Sequence, residues 1–235
     1  VLDRFTRNVL FPDSTYAHES GGDPSVIPDL TYEQFIEFHK NYYHPANSYI
    51  YLYGDMDMAE KLEWLDREYL SGYDRKDCHA DSSIPLQKAF EGPVEREITY
   101  SVTEEEGTAD RTYLSVNTVV GTSLDPVLYI AFNILEYTLI NVPGAPLKQA
   151  LIDAGIGQDI LGGYDSGILQ PYFTVIAKNA NGEQKGEFLS VVKGTLRKLA
   201  DQGIDRKSLK AGLNYYEFRS READYGSAPK GLMYG

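Results

Sequence analysis

The stretch LFPDSTYAHESGGDPSVIPDLTYEQFIEFHKNYYHPANSYIYLYGD, residues 10–55, carries signals for a loop, a helix and a strand in succession. Its first part is rich in proline, glycine, aspartate and serine, which indicates a long loop built from turns. Thr31 and Gln34 form a capping-box pattern that begins a helix, and Pro45 ends this helix. Residues 48–53 then alternate between aliphatic and tyrosine side chains, which predicts a strand with two unlike faces.

The rest of the chain continues with patterns of the same kinds. The stripe of Met58, Leu62 and Leu65 predicts a second helix. Residues 71–93 lose all periodicity and are rich in turn-forming residues, which indicates a linker. Beyond it, we predict strands at 94–102, 112–120, 158–164 and 172–179, and helices at 125–141, 145–154, 183–202 and 205–224.

The order of these elements predicts the fold class. The helix over 125–141 begins at Pro126 and is apolar nearly all round, so we expect it to be buried. Gly155 is placed to end the following helix in a left-handed conformation. Pairs of strands that alternate with pairs of helices are typical of an α+β fold, with an antiparallel or mixed sheet backed by helices.

Composition excludes some classes of partner. The 235 residues carry a net charge of −13, which repels the phosphates of nucleic acids and attracts basic ligands. Maintaining solubility is an alternative explanation for this charge. Cys78 is the single cysteine, so no internal disulfide forms and a reducing compartment is favoured. We find no signal-peptide pattern and no apolar stretch that approaches the ~18 residues of a membrane span, so we expect no membrane partner.

The segment from Leu10 to Asp55 resembles the presequence-protease branch of the pitrilysin/insulinase family of zinc metallopeptidases. The specific matches are LFPDSTY (10–16), SGGDP (20–24), IPDLTYEQF (27–35), FHKNYYHPAN (38–47) and YGD (53–55). The looser matches are PLKQALIDAGIG (146–157), LGGYDSGILQPYF (161–173) and YYEFRSREADYGSAPKGL (215–232). The likeness therefore extends over nearly the whole chain.

This resemblance implies a longer parent protein, built from four related α+β domains that close around a chamber for peptides. Residues 1–70 would be the C-terminal part of its first, catalytic-type domain, 71–93 a linker, and 94–235 most of its second, non-catalytic domain. Family members bind zinc through H-x-x-E-H, and this chain contains no such motif. We therefore expect zinc in the parent, but no catalytic residue, metal ligand or cofactor in this chain.

The histidines and acidic residues of the chain favour structural roles. His39 and His44 are five positions apart, whereas zinc-binding pairs on one helix are four apart, so we interpret them as helix-end and turn residues. Cys78 and His79 form an isolated pair without a second cluster. Asp57 suits the N-cap of the helix that follows, rather than a cation site with Asp55.

Two further sequence patterns resemble catalytic or phosphate-binding motifs. His18, Glu19 and Ser20 have the residue types of a catalytic triad, but triads depend on geometry rather than on adjacency in sequence. The segment Gly21–Pro24 lacks the lysine and the strand–turn–helix context of a phosphate-binding loop. We predict turns at both places.

The candidate binding segment is Leu161-Gly162-Gly163-Tyr164, within the predicted strand 158–164. A similarly placed edge strand holds the substrate backbone in related insulin-degrading enzymes, so the resemblance implies substrate binding here. Glycines allow a second backbone to approach closely, and an edge strand offers unpaired N–H and C=O groups. The alternative is an ordinary β-bulge between two strands of the sheet.

These observations favour an internal, non-catalytic segment of a zinc-dependent metalloendopeptidase. Its expected partners are the remainder of the same polypeptide and peptide substrates, and its expected location is the cytoplasm or, in a eukaryote, an organelle lumen. A non-catalytic homologue that acts as a peptide-binding or assembly subunit is the main alternative. Unrelated chemistry on the same fold is another, because a fold does not fix a function. Leu2, Phe5 and Val9 follow helical spacing with no capping residue before them, and we expect the chain to be a fragment.

Overall fold

The computed structural model describes residues 1–77, 83–105 and 107–234. Cys78, His79 and the acidic residue Glu106 lie outside these ranges. The described residues cluster into two compact units, each made from separate stretches of the chain. The first unit comprises Val1–Ala17 and Leu86–Glu222, and the second comprises His18–Pro85 and Ala223–Gly235.

One boundary between these units, Pro85/Leu86, falls within the predicted linker 71–93, whereas the other two, Ala17/His18 and Glu222/Ala223, fall outside it. Residues 1–17, which we expected in the first domain, cluster with 86–222. Within the predicted linker, Gln87 is buried, and its Nε2 donates a hydrogen bond to Asp13 Oδ2 at 2.8 Å. The assignment of 1–70 and 94–235 to successive domains of a parent protein stays a prediction.

The confirmed α+β fold contains a three-stranded antiparallel sheet in the first unit. The strand order is β1-β3-β2, so β3 lies between the other two. One β-bulge interrupts the register, at the start of β1. The strands are β1 (Thr112–Val119), β2 (Asp159–Asp165) and β3 (Tyr172–Ala180).

Helices pack against the sheet in the first unit, and further helices lie in the second unit. Two five-residue π-helical turns, Asp66–Leu70 and Tyr137–Asn141, directly follow α3 and α4. We refer to Tyr137–Asn141 as the π-turn. The helices are α1 (Leu2–Leu10), α2 (Tyr32–Tyr42), α3 (Met58–Leu65), α4 (Pro126–Glu136), α5 (Pro146–Asp153), α6 (Lys185–Gln202), α7 (Arg206–Glu222) and α8 (Lys230–Tyr234).

The core of the first unit forms where the sheet meets the π-turn, α5 and α6. Every second residue of a strand faces the same side of the sheet, and Val175 and Ala177 of β3 are accordingly both buried against the helices. The sequence patterns predicted these helices and strands because their apolar periodicities match the buried faces. The largest fully buried side chains of this core are Ile140, Leu147, Leu151, Ile156, Ile160, Val175 and Phe188.

Helix α4 is not buried all round, contrary to the sequence prediction. Ile134 is buried, whereas Val127 is 76% exposed, because only one face of the helix meets the sheet and α7. The stretch Pro126–Asp153 is also long and apolar enough to cross a membrane by length and composition alone, which corrects the expectation that no such stretch exists. Core helices of soluble proteins can have the same length and composition.

Two predicted strands are absent from the described chain. Residues 48–53 and 94–102 have no strand structure. The first unit therefore lacks the predicted strand at 94–102. A strand is stabilised by hydrogen bonds to a neighbouring strand, and neither segment belongs to the sheet that the described residues form. Within the segment 48–53, the hydroxyl of Tyr51 donates a hydrogen bond to the carbonyl oxygen of Gly231 at 3.1 Å.

The second unit confirms the predicted capping box, and apolar side chains of its helix α2 are exposed. Thr31 Oγ1 accepts from Gln34 N at 3.2 Å, and Gln34 Oε1 accepts from Thr31 N at 2.9 Å. Phe35 and Phe38 on the apolar face of α2 are nevertheless 63% and 58% exposed. Among the described residues of this unit, Ala223 is the one hydrophobic residue that is buried.

Candidate functional site

The segment Leu161–Tyr164 lies on an edge of the sheet. Strand β2 pairs with β3 along its whole length, from Asp159 opposite Lys178 to Asp165 opposite Tyr172. This register is uninterrupted, so no β-bulge occurs at the glycines. Within the described part of the chain, β2 has no partner on its other side. An edge strand presents unpaired backbone N–H and C=O groups, which is the property that strand addition requires.

The two glycines of this segment face different environments. A Cβ atom at Gly162 would lie 2.4 Å from Ile140 Cδ1 and 2.6 Å from the carbonyl oxygen of Thr174. Gly162 therefore permits the π-turn to pack closely on the sheet. A Cβ atom at Gly163 would meet nothing within 4 Å, so this position is open on the opposite face. Only Gly163 leaves free space beside the edge.

Tyr164 fixes β2 to the helical layer. Its ring packs against Phe132 and Tyr129 of α4, with centroid distances of 5.5 Å and 6.3 Å. The residue is 8% exposed, and its hydroxyl has no hydrogen-bond partner among the described residues. Burial, together with the nearby Tyr129, raises the pKa of Tyr164. Since Tyr164 faces the core, Leu161 and Gly163 are the members of the candidate segment that face outward.

A polar network on the outer face holds helix α1 against the end of β2. Arg7 Nη2 donates to Asp165 Oδ2 at 2.9 Å, and Arg7 Nε lies 3.6 Å from Asp3 Oδ2. The hydroxyl of Tyr172 donates to Asp3 Oδ1 at 3.2 Å. Burial raises the pKa of Tyr172 to about 12, so this phenol remains a hydrogen-bond donor at neutral pH. The hydrogen bond with Tyr172 raises the pKa of Arg7.

A cavity of about 210 Å³ lies beside this network, between α1 and the outer face of the sheet. Its floor includes Thr174, whose Oγ1 donates to Asn117 Oδ1 at 2.6 Å. Gly163 is the register partner of Thr174, so the open position on the edge strand is next to a residue of the cavity floor. The cavity is lined by Leu2, Asp3, Thr6, Tyr172, Thr174 and Ile176.

Sequence reasoning located the edge strand but not the residues of α1 that flank it. Asp3 and Arg7 are separated by four positions, which is the spacing of an ion pair on one helix face and was visible in the sequence. Their proximity to Asp165, which lies 158 positions after Arg7, depends on the tertiary structure.

The other sequence candidates have structural roles in the described chain. The ring of His39 stacks on that of Tyr43 at 4.7 Å, and His44 Nδ1 accepts from Ala46 N at 3.1 Å as a cap. Asp57 caps α3 by accepting from Glu60 N at 3.0 Å. No group of three or more metal-binding side chains occurs among the described residues, and a zinc ion therefore has no fitting set of ligands there.

Comparison with known proteins places this fold in a family. The family model described as the peptidase M16 inactive domain matches residues 29–216. The chain belongs to the M16 peptidase family. This M16 chain is 46% identical over 234 residues to the protein HypA of Clostridium perfringens. It is 35% identical over 234 residues to presequence protease 1, chloroplastic/mitochondrial, of Arabidopsis thaliana.

The M16 chain corresponds to only part of these relatives. Its alignments cover 100% and 99% of the chain, but 24% of HypA and 22% of the Arabidopsis protease. The chain thus spans about a quarter of their length.

Solved structures agree with the M16 fold. The peptidase M16 inactive domain from Pseudomonas fluorescens matches with a TM-score of 0.62 at 20% identity, over 98% of this chain and 52% of the other. A protease from Helicobacter pylori matches with a TM-score of 0.56 at 15% identity, over 94% of this chain and 55% of the other. At these identities the likeness concerns the fold alone.

Proposed function

We propose that this chain is a non-catalytic, substrate-lining segment of a zinc-dependent metalloendopeptidase, in which the free edge of β2 binds the backbone of unstructured peptides. The observation that carries the proposal is the edge strand with open space at Gly163. A peptide added beside β2 forms main-chain hydrogen bonds, and these depend little on its sequence. The parent enzyme would then hold varied peptides through one strand while its zinc centre cleaves them.

The family membership supports the non-catalytic role. The matching model describes an inactive domain, the chain contains no H-x-x-E-H motif, and its described residues include no metal-binding group. Relatives with the name presequence protease, together with the chain's net charge of −13, favour basic, unfolded peptides as substrates. Transit peptides have this character, because they are rich in arginine and poor in acidic residues.

The exposed apolar side chains of the second unit support the remainder of the same polypeptide as a partner. Tyr32, Phe35 and Phe38 on α2 are each more than half exposed. Exposed apolar patches of this kind are typical of interaction sites, and they suit a unit that packs against further parts of the same polypeptide. The same observation favours the alternative function, a non-catalytic homologue that binds peptides or assembles with another subunit.

One variant of the full-length parent tests the peptide-binding edge. Gly163→Val leaves the fold intact, because the site is open, but places a branched side chain where the peptide approaches. We expect a higher KM for long peptides and little change for very short peptides, which reach the zinc without this edge. The matched control is Gly194→Ala on α6, also an open glycine. Equal KM values for long peptides in the parent and in Gly163→Val would refute binding at this edge.

The parent gene distinguishes the two candidate functions. A coding sequence for H-x-x-E-H upstream of Val1 supports the peptidase, and its absence supports the binding or assembly subunit. The compartment stays a prediction: the Arabidopsis relative is named for the chloroplast and mitochondrion, whereas HypA is bacterial.

A further inference from the structure

The cavity lies on the same face of the sheet as the open position at Gly163. Gly163 is paired with Thr174, and Leu161 with Ile176, so the cavity floor lies directly behind the outward-facing positions of β2. At Gly163 no side chain stands between this floor and the free edge. Gly163 therefore leaves the outer face of the sheet open between the free edge and the strand that forms the cavity floor.

The geometry of a sheet decides which peptide side chain enters this gap. Residues directly opposite each other on neighbouring strands direct their side chains to the same face. The peptide residue opposite Gly163 thus projects onto the face that holds the cavity. Strands are about 4.8 Å apart, so the cavity floor on β3 lies about two spacings from the peptide backbone. Only a long side chain spans that distance.

The lining of the cavity favours a long side chain with an apolar stem and a positive end. Leu2 and Ile176 offer apolar surface to methylene groups. The polar network contributes two carboxylates, Asp3 and Asp165, against one guanidinium, Arg7. The side chain of Asp3 is 70% exposed, and its carboxylate retains acceptor positions beyond the bond from Tyr172.

We propose that this cavity is a side-chain subsite that selects arginine or lysine in the peptide residue opposite Gly163, with Asp3 as the residue that determines this specificity. The inference rests on the proposed function, because it requires a peptide strand beside β2. It adds selectivity for one peptide side chain to a strand, β2, that otherwise binds only the peptide backbone. The net charge of −13 of the chain acts in the same direction by attracting basic peptides.

Binding of matched peptides to the purified chain tests the subsite. The probes are fluorescein-labelled peptides of alternating threonine and valine that differ only at the central residue, which is arginine, leucine or glutamate. Fluorescence anisotropy measures each Kd. We expect the arginine peptide to bind about fivefold more tightly than the leucine peptide, which is the size of effect expected for a partly exposed ion pair. The glutamate peptide should bind most weakly.

Asp3→Asn is the decisive variant, because asparagine still accepts the hydrogen bond from Tyr172 but lacks the charge. We expect the advantage of arginine over leucine to fall below about twofold, with the Kd of the leucine peptide unchanged. Asp201→Asn, an exposed position at the end of α6, removes the same charge from the chain and should retain the advantage. Circular dichroism melting establishes that both variants are folded.

The outcomes separate this inference from the proposed function. If the arginine and leucine peptides bind equally well, or if Asp3→Asn keeps the full advantage of arginine, the subsite is refuted while the edge strand stands. If the advantage falls equally in Asp201→Asn, net charge rather than the cavity is responsible, and the subsite is again refuted. If none of the peptides binds, both the subsite and the peptide-binding edge are refuted.

Discussion

Ile140 of the π-turn lies so close to Gly162 of the edge strand that a Cβ atom at position 162 would be 2.4 Å from Ile140 Cδ1. The same turn meets α7 on its other side, where a Cβ atom at Gly212 would be 2.2 Å from Thr138 Oγ1. Two glycines thus allow the π-turn to fit between a helix and the strand. π-helical segments are rare in proteins, and those that occur are often at functional sites. Here the π-turn fixes the position of the candidate binding edge.

The close contact at Gly162 predicts unequal effects of alanine at the two neighbouring glycines. Gly162→Ala overpacks the core against both Ile140 and the backbone of Thr174, so we expect a loss of about 2 kcal/mol in the free energy of unfolding. Gly163→Ala meets open space and should be neutral or stabilising by up to ~1 kcal/mol. Urea denaturation of the two variants measures the difference. An effect of Gly162→Ala as small as that of Gly163→Ala would show that Ile140 and the backbone of Thr174 move aside without cost.

A second pair of glycines tests the other side of the π-turn. Gly212→Ala on α7 should destabilise the chain by about 1–3 kcal/mol, because Thr138 is fully buried and its Oγ1 is held by a hydrogen bond to Ile134 O at 2.7 Å. Gly194→Ala on α6 has no neighbour within 4 Å and should stabilise by up to ~1 kcal/mol. Thermal melting compares both with the unchanged chain. A stabilising Gly212→Ala would contradict the close packing of α7 on the π-turn.

Glu136 predicts a pH dependence of stability. Burial raises the pKa of this carboxyl, although the hydrogen bond from Asn141 and the charge of Arg219 oppose the shift. A carboxyl whose pKa is higher in the folded state than in the unfolded state contributes its full stability to the protein below the unfolded-state pKa. This contribution is lost as the pH rises from the unfolded-state pKa to the folded-state pKa. Glu136→Gln should therefore raise the Tm of the chain at pH 7 relative to the unchanged protein, and this gain should shrink at pH 4.

The control for that experiment is Glu187→Gln, an exposed glutamate on α6. It removes the same charge without removing a buried carboxyl, so its effect on Tm should be small at both pH values. If both variants raise the Tm at pH 7 by the same amount, relief of the overall negative charge explains the result and the burial of Glu136 does not.

The hydrogen bonds of Gln87 indicate which sites proteases cleave first. Its Oε1 accepts from Asp13 N at 2.8 Å, and its backbone N donates to Gln170 Oε1 at 2.7 Å. Brief trypsin treatment should therefore cleave after Arg75 or Lys76 before it cleaves after Lys88. In Gln87→Ala, cleavage after Lys88 should accelerate. Mass spectrometry of the early fragments identifies the sites, and early cleavage after Lys193 or Arg197 within α6 would show that the core is misplaced.

The isolated chain should have no stoichiometric zinc and no peptidase activity. The described residues hold no metal-binding group, and the sequence lacks H-x-x-E-H. Inductively coupled plasma mass spectrometry of the purified chain measures the metal, and a quenched fluorescent peptide measures cleavage. About one tightly bound zinc per chain, or cleavage that a chelator abolishes, would overturn the prediction.

The sequence by itself determined most helices and the sheet strands of the first unit. Apolar periodicity is a local property, and it located α6, α7, β2 and β3 within a few residues. The capping box of Thr31 and Gln34 was equally visible, because both partners lie within one turn. The motifs quoted above also identified the family, which the match over residues 29–216 confirms.

Only the tertiary structure decided which predicted strands form and which glycine is open. Residues 48–53 have a strand pattern but no neighbour in the described chain, and pairing depends on distant residues. Gly162 and Gly163 are alike in sequence, yet they differ because one faces Ile140 and the other faces open space. The proximity of Asp3, Arg7 and Asp165 beside the cavity likewise depends on packing between segments far apart in the chain, which no local sequence pattern encodes.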